Sequence, residues 1–271
     1  CVRSGAWSEE DWRKDLMRKM KRHTIRNGMA AESLTESSHD AWIHLYRGHA
    51  FSRETQISYY LEGELTLMEL DMELRKRSNG LHGVCDLTAL LCQRHALECN
   101  PSERLGITHN DIRKALTSMK GGRRLGTMLD ELVNRKAAPD MERVMAYFGL
   151  SLEPEHPVKP GEVKPAWLGL NLTVKAGQVT VSTHMAESPL RHLLMPGDEI
   201  IAINGMRTAT TKALETALKG QVDQEVIITY AHEGMIRECK LKLSEGPKHK
   251  VKLVGKGNKN WRSYIATRQL N

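Results

Sequence analysis

Pro196-Gly197-Asp198-Glu199-Ile200-Ile201-Ala202-Ile203-Asn204-Gly205 is the stretch that decides the fold of the second half of the chain. Gly197-Asp198 is a turn into an apolar run short enough for a buried strand, and Asn204-Gly205 turns the chain out again. On the C-terminal side, Thr210–Leu218 has helical periodicity, and Glu225–Tyr230 and Ile236–Leu243 pair as a hairpin about Glu233-Gly234. On the N-terminal side, Leu168–Val174 and Gln178–Ser182 are β-rich runs separated by Gly177, and Pro189–Leu194 reads as a short helix. Further upstream, Pro154, Pro157, Pro160, Gly161 and Pro165 break any regular element, so 151–165 reads as a linker.

Residues 8–150 carry a different period. Ser8-Glu9-Glu10-Asp11 and Ser33-Leu34-Thr35-Glu36 have the capping-box pattern, followed by Trp12, Leu16 and Met20 in one case and by Trp42 and Leu45 in the other. Ile57, Leu61, Leu65, Met68 and Met72 mark a long amphipathic helix ending near Asn79-Gly80. Further helices are predicted over 83–96, after the cap at Thr108, and at about 126–134 and 140–148. The fold class is therefore an N-terminal all-α bundle (1–150), a linker (151–165), a β-rich domain with two helices (166–245) and a C-terminal tail (246–271).

Charge is concentrated at one end. The net formal charge is +7, and residues 246–271 hold seven Lys and Arg with no Asp or Glu, so the remainder is close to neutral. A uniformly basic nucleic-acid face is not indicated, and the tail reads as a solvated terminus. No apolar run approaches the roughly 20 residues that span a bilayer, and no signal peptide is recognisable after Cys1. The missing initiator Met suggests a chain cut from something longer. Of the five cysteines, Cys85, Cys92 and Cys99 recur every seven residues, which would stack them as small buried residues along a helix. The odd count without a Cys-x-x-Cys pair favours a reducing, cytoplasmic setting.

Trp167-Leu168-Gly169-Leu170, the turn–strand–turn at 196–205 and the helix after it together resemble a PDZ domain over about 165–245. The resemblance implies a PDZ-like β-barrel that captures a peptide or protein C-terminus by strand addition. The loop at Trp167, Leu168, Gly169 and Leu170 would offer N–H groups to the terminal carboxylate, and the peptide would lie between Leu170–Thr173 and Thr210–Leu218. Leu168, Leu170, Leu214 and Leu218 would line an apolar pocket, although Leu170 and Leu218 read equally well as core. Thr210, Thr211 and Lys212 are the candidate polar readers.

The stretches Ser33–Trp42, Ile57-Ser58-Tyr59-Tyr60-Leu61-Glu62-Gly63 and Leu70-Asp71-Met72-Glu73-Leu74-Arg75 are similar to segments of the glycyl aminopeptidase family of zinc metallopeptidases, in which a PDZ domain also follows a helical domain. That resemblance implies zinc-assisted peptide hydrolysis. It also implies that Tyr60, with Tyr59 as its rival, stabilises the tetrahedral oxyanion. Glu62 stands where a Lys is often seen. The family's His-Glu-x-x-His does not occur in these 271 residues, and His39, His44 and His49 do not form a compact ligand set. The expectation is thus a chain with no metal site or cofactor of its own, zinc belonging only to a complete family member. It would be inactive alone, and its partners would be a peptide end and a missing zinc-bearing domain. The alternative is a non-catalytic PDZ interaction protein.

Overall fold

A computed structural model describes residues 4–24, 28–49, 51–98, 106–154, 163–246 and 251–266. The N-terminal half is helical: α1 (Glu9–Thr24), α2 (Leu34–His39), α3 (Ser52–Thr55), α4 (Tyr59–Arg77), α5 (Val84–Cys92), α6 (His109–Ser118), α7 (Leu125–Asn134) and α8 (Met141–Tyr147). Strand β1 (Ser151–Pro154) follows. The second half holds β2 (Leu170–Lys175), β3 (Gln178–His184), β4 (Glu199–Ile203), β5 (Met206–Arg207), α9 (Thr211–Leu218), β6 (Glu225–His232) and β7 (Met235–Lys242). Strand β8 (Val251–Val254) and helix α10 (Lys259–Ile265) complete the order.

The caps form where the residue types demand them. Ser33 accepts from the Glu36 N–H while Glu36 accepts from the Ser33 N–H, and Thr108 and Asp111 repeat the arrangement. Helix α4 is the spine of the helical part. Leu61, Leu65, Met68 and Met72 face one apolar cluster with α1 and α8, and Leu70 and Leu74 face a second with α5, α6 and α7. The helix α2 is shorter than its pattern suggests. It ends at His39, the chain turns through Asp40 and Ala41, and Trp42 is left 79% exposed.

The main sheet is antiparallel, in the order β2-β3-β4-β6-β7 with β5 paired to β4. Its core joins Val179, Val181, Ile200, Ile203, Val226 and Ile228 to Leu214 and Leu218 of α9. The expected barrel does not close. Among the described residues β2 and β7 are both edges, and β7 pairs with β6 along one side only. The expected second helix at 189–194 is a run of turns in which the N–H groups of Leu193 and Leu194 donate to the Leu190 carbonyl. The His184 Nε2–H takes the Leu194 carbonyl, so that segment is held by side chains rather than by helix continuation.

The C-terminal segment departs most from expectation. β8 pairs with β1 in an antiparallel ribbon, and α10 buries Trp261 completely against Trp12, Phe148 and Tyr264. Residues 251–266 are thus part of the helical half's core and not a solvated tail. The linker region likewise begins as strand β1, while 155–162 lie outside the described residues, as do Lys248, Lys250 and Arg268 of the basic run. Cys85 and Cys92 are exposed rather than buried, because α5 turns its Leu87 side inward. Cys1 and Cys99 lie outside the described residues. Among the described residues no helix is long and apolar enough to cross a membrane.

Candidate functional site

Ser58 caps α4 and accepts from the Leu61 N–H, which places Tyr59 and Tyr60 in the first helical turn. The two rings differ in exposure. Tyr59 is half-buried and packs with Met29, Leu34 and Ile57, whereas Tyr60 is 63% exposed. Tyr60, Gly63, Glu64 and Leu67 fall on one helix face by their spacing. That face borders a cavity of about 680 Å³ whose walls include Trp7, Trp12, Met68 and Tyr264. Lys19 bridges Glu64 at 2.6 Å and Asp15 at 2.6 Å, and Arg18 is a second cation on Asp15, so each carboxylate has a cationic partner.

The Tyr60 hydroxyl stands 3.5 Å from that of Tyr46. Tyr46 in turn stacks on Trp42, with ring centroids 5.0 Å apart and planes 27° apart. Tyr59 and Tyr60 have centroids 4.2 Å apart. The neighbouring phenols split the group. The Tyr46 hydroxyl first, and Tyr59 second, hold Tyr60 below the ordinary tyrosine range, while Tyr59 is pushed up, chiefly by Tyr60. Such an arrangement makes Tyr60 the better hydrogen-bond donor to an anionic oxygen arriving from the open side.

Glu62, although next to this face in sequence, lies inside the protein. It is 1% exposed and pairs with His23 at 2.7 Å, so its departure from Lys does not bear on the exposed face. The stretch Leu70–Arg75 is a structural brace. Arg75 Nε donates to Asp71 at 2.6 Å, the other Asp71 oxygen caps the Val84 N–H at 2.6 Å, and both residues crowd Gly83 so closely that a Cβ there would lie 2.5 Å from Asp71. The histidines are dispersed. His39 pairs with Asp40, His44 with Glu32, and His49 meets Gln56. Among the described residues no three His, Cys, Asp or Glu side chains converge, so the donor set present does not fit a zinc ion.

The second candidate region is the loop before β2. Gly169 adopts φ +69°, and a Cβ there would lie 2.7 Å from Ser188 Cα, so only glycine fits. Ser188 donates to the Leu168 carbonyl and the Met185 N–H to the Gly169 carbonyl, which fixes the loop against the turn after β3. The Trp167 N–H, one of the expected donors, is taken by the Ser244 carbonyl. Leu168, Leu170, Leu214 and Leu218 are brought together, each between 4% and 8% exposed, inside the core of the sheet half. β2 presents its outer edge beside this loop.

One group absent from the sequence reading joins the two halves. Glu54 of α3 is 7% exposed and meets His184 Nδ1 at 2.7 Å and Arg191 Nε at 2.6 Å. With 130 residues between Glu54 and His184, no local signal announces the contact. Tyr46 was also missed, although its i,i+4 spacing from Trp42 is visible in the sequence.

Comparison with known proteins agrees with this picture at the level of fold. An aminopeptidase N family protein from Idiomarina loihiensis superposes with a TM-score of 0.81 at 20% identity over 97% of this chain and 45% of that chain. The present chain thus spans less than half the length of that protein, and the likeness is one of fold. An HtrA-type protease, AlgW, with a decapeptide matches at a TM-score of 0.30 and 17% identity over 33% of this chain and 31% of that one, too weakly to carry an argument. No curated protein matches in sequence. Residues 1–66, which include Tyr60, match the family model of the M61 glycyl aminopeptidase. The N-terminal segment of the chain, residues 1–66, is thus similar to the M61 glycyl aminopeptidase family.

Proposed function

We propose that this chain acts as the C-terminal part of a glycyl-aminopeptidase-like metallopeptidase, with Tyr60 as oxyanion donor and a PDZ-like sheet that binds peptide ends. The observation that carries the reading is the position of Tyr60. It lies within the family-matched segment, at the first turn of α4, exposed at the rim of an apolar-walled cavity. A phenol there donates a hydrogen bond where negative charge develops on a substrate carbonyl oxygen, and loss of one such donor typically costs about 10²–10³ in turnover. Zinc, which the family supplies to activate water, belongs to a part outside these residues. By itself the chain binds and does not cut. The exposed Trp42, Tyr46 and Tyr60 are the surface against which a zinc-bearing part and its substrate would sit.

The PDZ-like reading of the sheet half is supported by the left-handed Gly169, the open edge of β2 and the placement of α9 between β5 and β6. A peptide would add as a strand to β2, its terminal carboxylate meeting the N–H groups of Leu168 and Gly169. Because the four leucines are closed in, the last side chain of the ligand would enter by displacing core contacts, which favours small residues there. The test is binding of short fluorescent peptides to the chain, with a free or an amidated C-terminus. Amidation, Gly169→Glu and Leu218→Glu are each expected to weaken binding by about tenfold or more, equivalent to roughly 1.4 kcal/mol. Unchanged affinity in both variants, checked for retained fold by circular dichroism, would remove the groove from the account.

A further inference from the structure

We propose that Tyr46 is a positioning residue for Tyr60, its hydroxyl donating to the Tyr60 phenol oxygen so that the Tyr60 O–H is left to point into the open cleft, with Trp42 as the plate that holds Tyr46 in place. The inference rests on the oxyanion role proposed for Tyr60 and adds two residues to it. Three observations support it. The hydroxyls are 3.5 Å apart, longer than a usual O–H···O bond and near enough to close to one when a ligand binds. Trp42 and Tyr46 are stacked at 5.0 Å although both are exposed, 79% and 55% respectively, so the stack organises a surface that burial does not. Tyr46 lies in the turn after α2 and Tyr60, which lines the cavity, in the first turn of α4, so the contact ties together two separate elements.

A phenol oxygen that already accepts a hydrogen bond has its negative form favoured, and its own proton becomes a stronger donor. Tyr59 contributes from the same helix as the second neighbour. The charged groups around the adjoining cavity are the Asp15–Lys19–Glu64 set and the Asp71–Arg75 pair, each joined within itself. That leaves Tyr46 as the principal group acting on Tyr60. The ligand class is an oxygen anion, such as a carboxylate or the oxyanion of a tetrahedral adduct, presented from the solvent side.

The experiment is a carbon-13 NMR titration of the full 271-residue chain labelled at tyrosine Cζ, with Tyr60→Phe identifying the Tyr60 signal among the six tyrosines. Tyr60 is expected to titrate first. Tyr46→Phe, which keeps the ring stack and removes only the hydroxyl, is expected to raise the Tyr60 titration toward the ordinary tyrosine range, with Tyr59 still acting on it. Trp42→Ala is expected to move it the same way, and Tyr59→Phe to move it less than Tyr46→Phe does. A Tyr60 titration unchanged by Tyr46→Phe, or moved more by Tyr59→Phe, overturns the inference. The measurement needs no peptide, metal or turnover. Its failure therefore leaves the oxyanion role standing, and loss of that role in a turnover assay leaves the Tyr46 contact standing.

Discussion

Replacing Trp261 with alanine is the sharpest probe of the finding that the basic C-terminal segment is core. The indole is fully buried, 5.0 Å by ring centroid from Trp12, 5.9 Å from Phe148 and 5.8 Å from Tyr264. Its N–H donates to Glu9 at 2.8 Å, and the Arg13 guanidinium lies 5.1 Å from its ring. Truncation removes the transfer energy of a large aromatic and leaves a cavity that these neighbours fill only in part, a cost of about 3–5 kcal/mol. Glu9 keeps Arg13 as a partner, so no unpaired buried charge is added. A value near 4 kcal/mol would move a urea midpoint by roughly 2 M at a slope of about 2 kcal/mol per molar. Native-state hydrogen exchange locates the loss. Amide protection in α1, α8 and the β1–β8 ribbon should fall by about three orders of magnitude, while β4, β6 and β7 hold theirs. Trp261→Phe, which keeps most of the volume, should cost much less. A Trp261→Ala change below about 1 kcal/mol would show that residues 251–266 are only loosely attached, and would refute the packing argument.

Two other outcomes are expected. Glu54→Ala strands His184 and releases Arg191 where the helical and sheet halves meet, and should cost about 3 kcal/mol, with exchange rising at 184–194 before it rises elsewhere in the sheet; a variant as stable as the parent would show the contact to be idle. Glu36 is held down to about 2 by the Ser33 N–H first and by Lys136 and the Ser33 hydroxyl next, so its folded value lies below its ordinary one of 4.5. The stability this gives to α2 is present above about pH 4.5 and is lost as pH falls toward about 2; a carboxyl NMR titration centred near 4.5 would contradict it.

The local elements were readable because their chemistry is local. Capping boxes at Ser33 and Thr108, the apolar period of α4 and the Glu233-Gly234 turn between β6 and β7 each fix a short stretch of backbone without help from distant residues. The C-terminal segment was misread because lysines dominate its composition. Yet Val251 and Leu253 alternate as a strand should, and Trp261, Tyr264 and Ile265 share a helix face. Whether such short patterns are core depends on a partner about a hundred residues away, here β1 and α8, and no window of sequence contains both. The open sheet follows from the same limit, since closure depends on edge pairing between β2 and β7, which strand periodicity does not report. At the site, Tyr60 was found through a family pattern, whereas its neighbour Tyr46 needed the turn after α2 to be seen in space. Trp42 was expected on a buried helical face and instead stands exposed beside Tyr46, because α2 stops at His39.

The central proposal is that this chain handles peptides for an M61-type peptidase and that its described residues hold no metal centre. The most direct test measures, on one preparation of the 271-residue chain, its zinc content after dialysis and its hydrolysis of a glycyl peptide with zinc supplied. The expected result is no stoichiometric zinc and no turnover. One tightly held zinc per chain together with release of free glycine would contradict it.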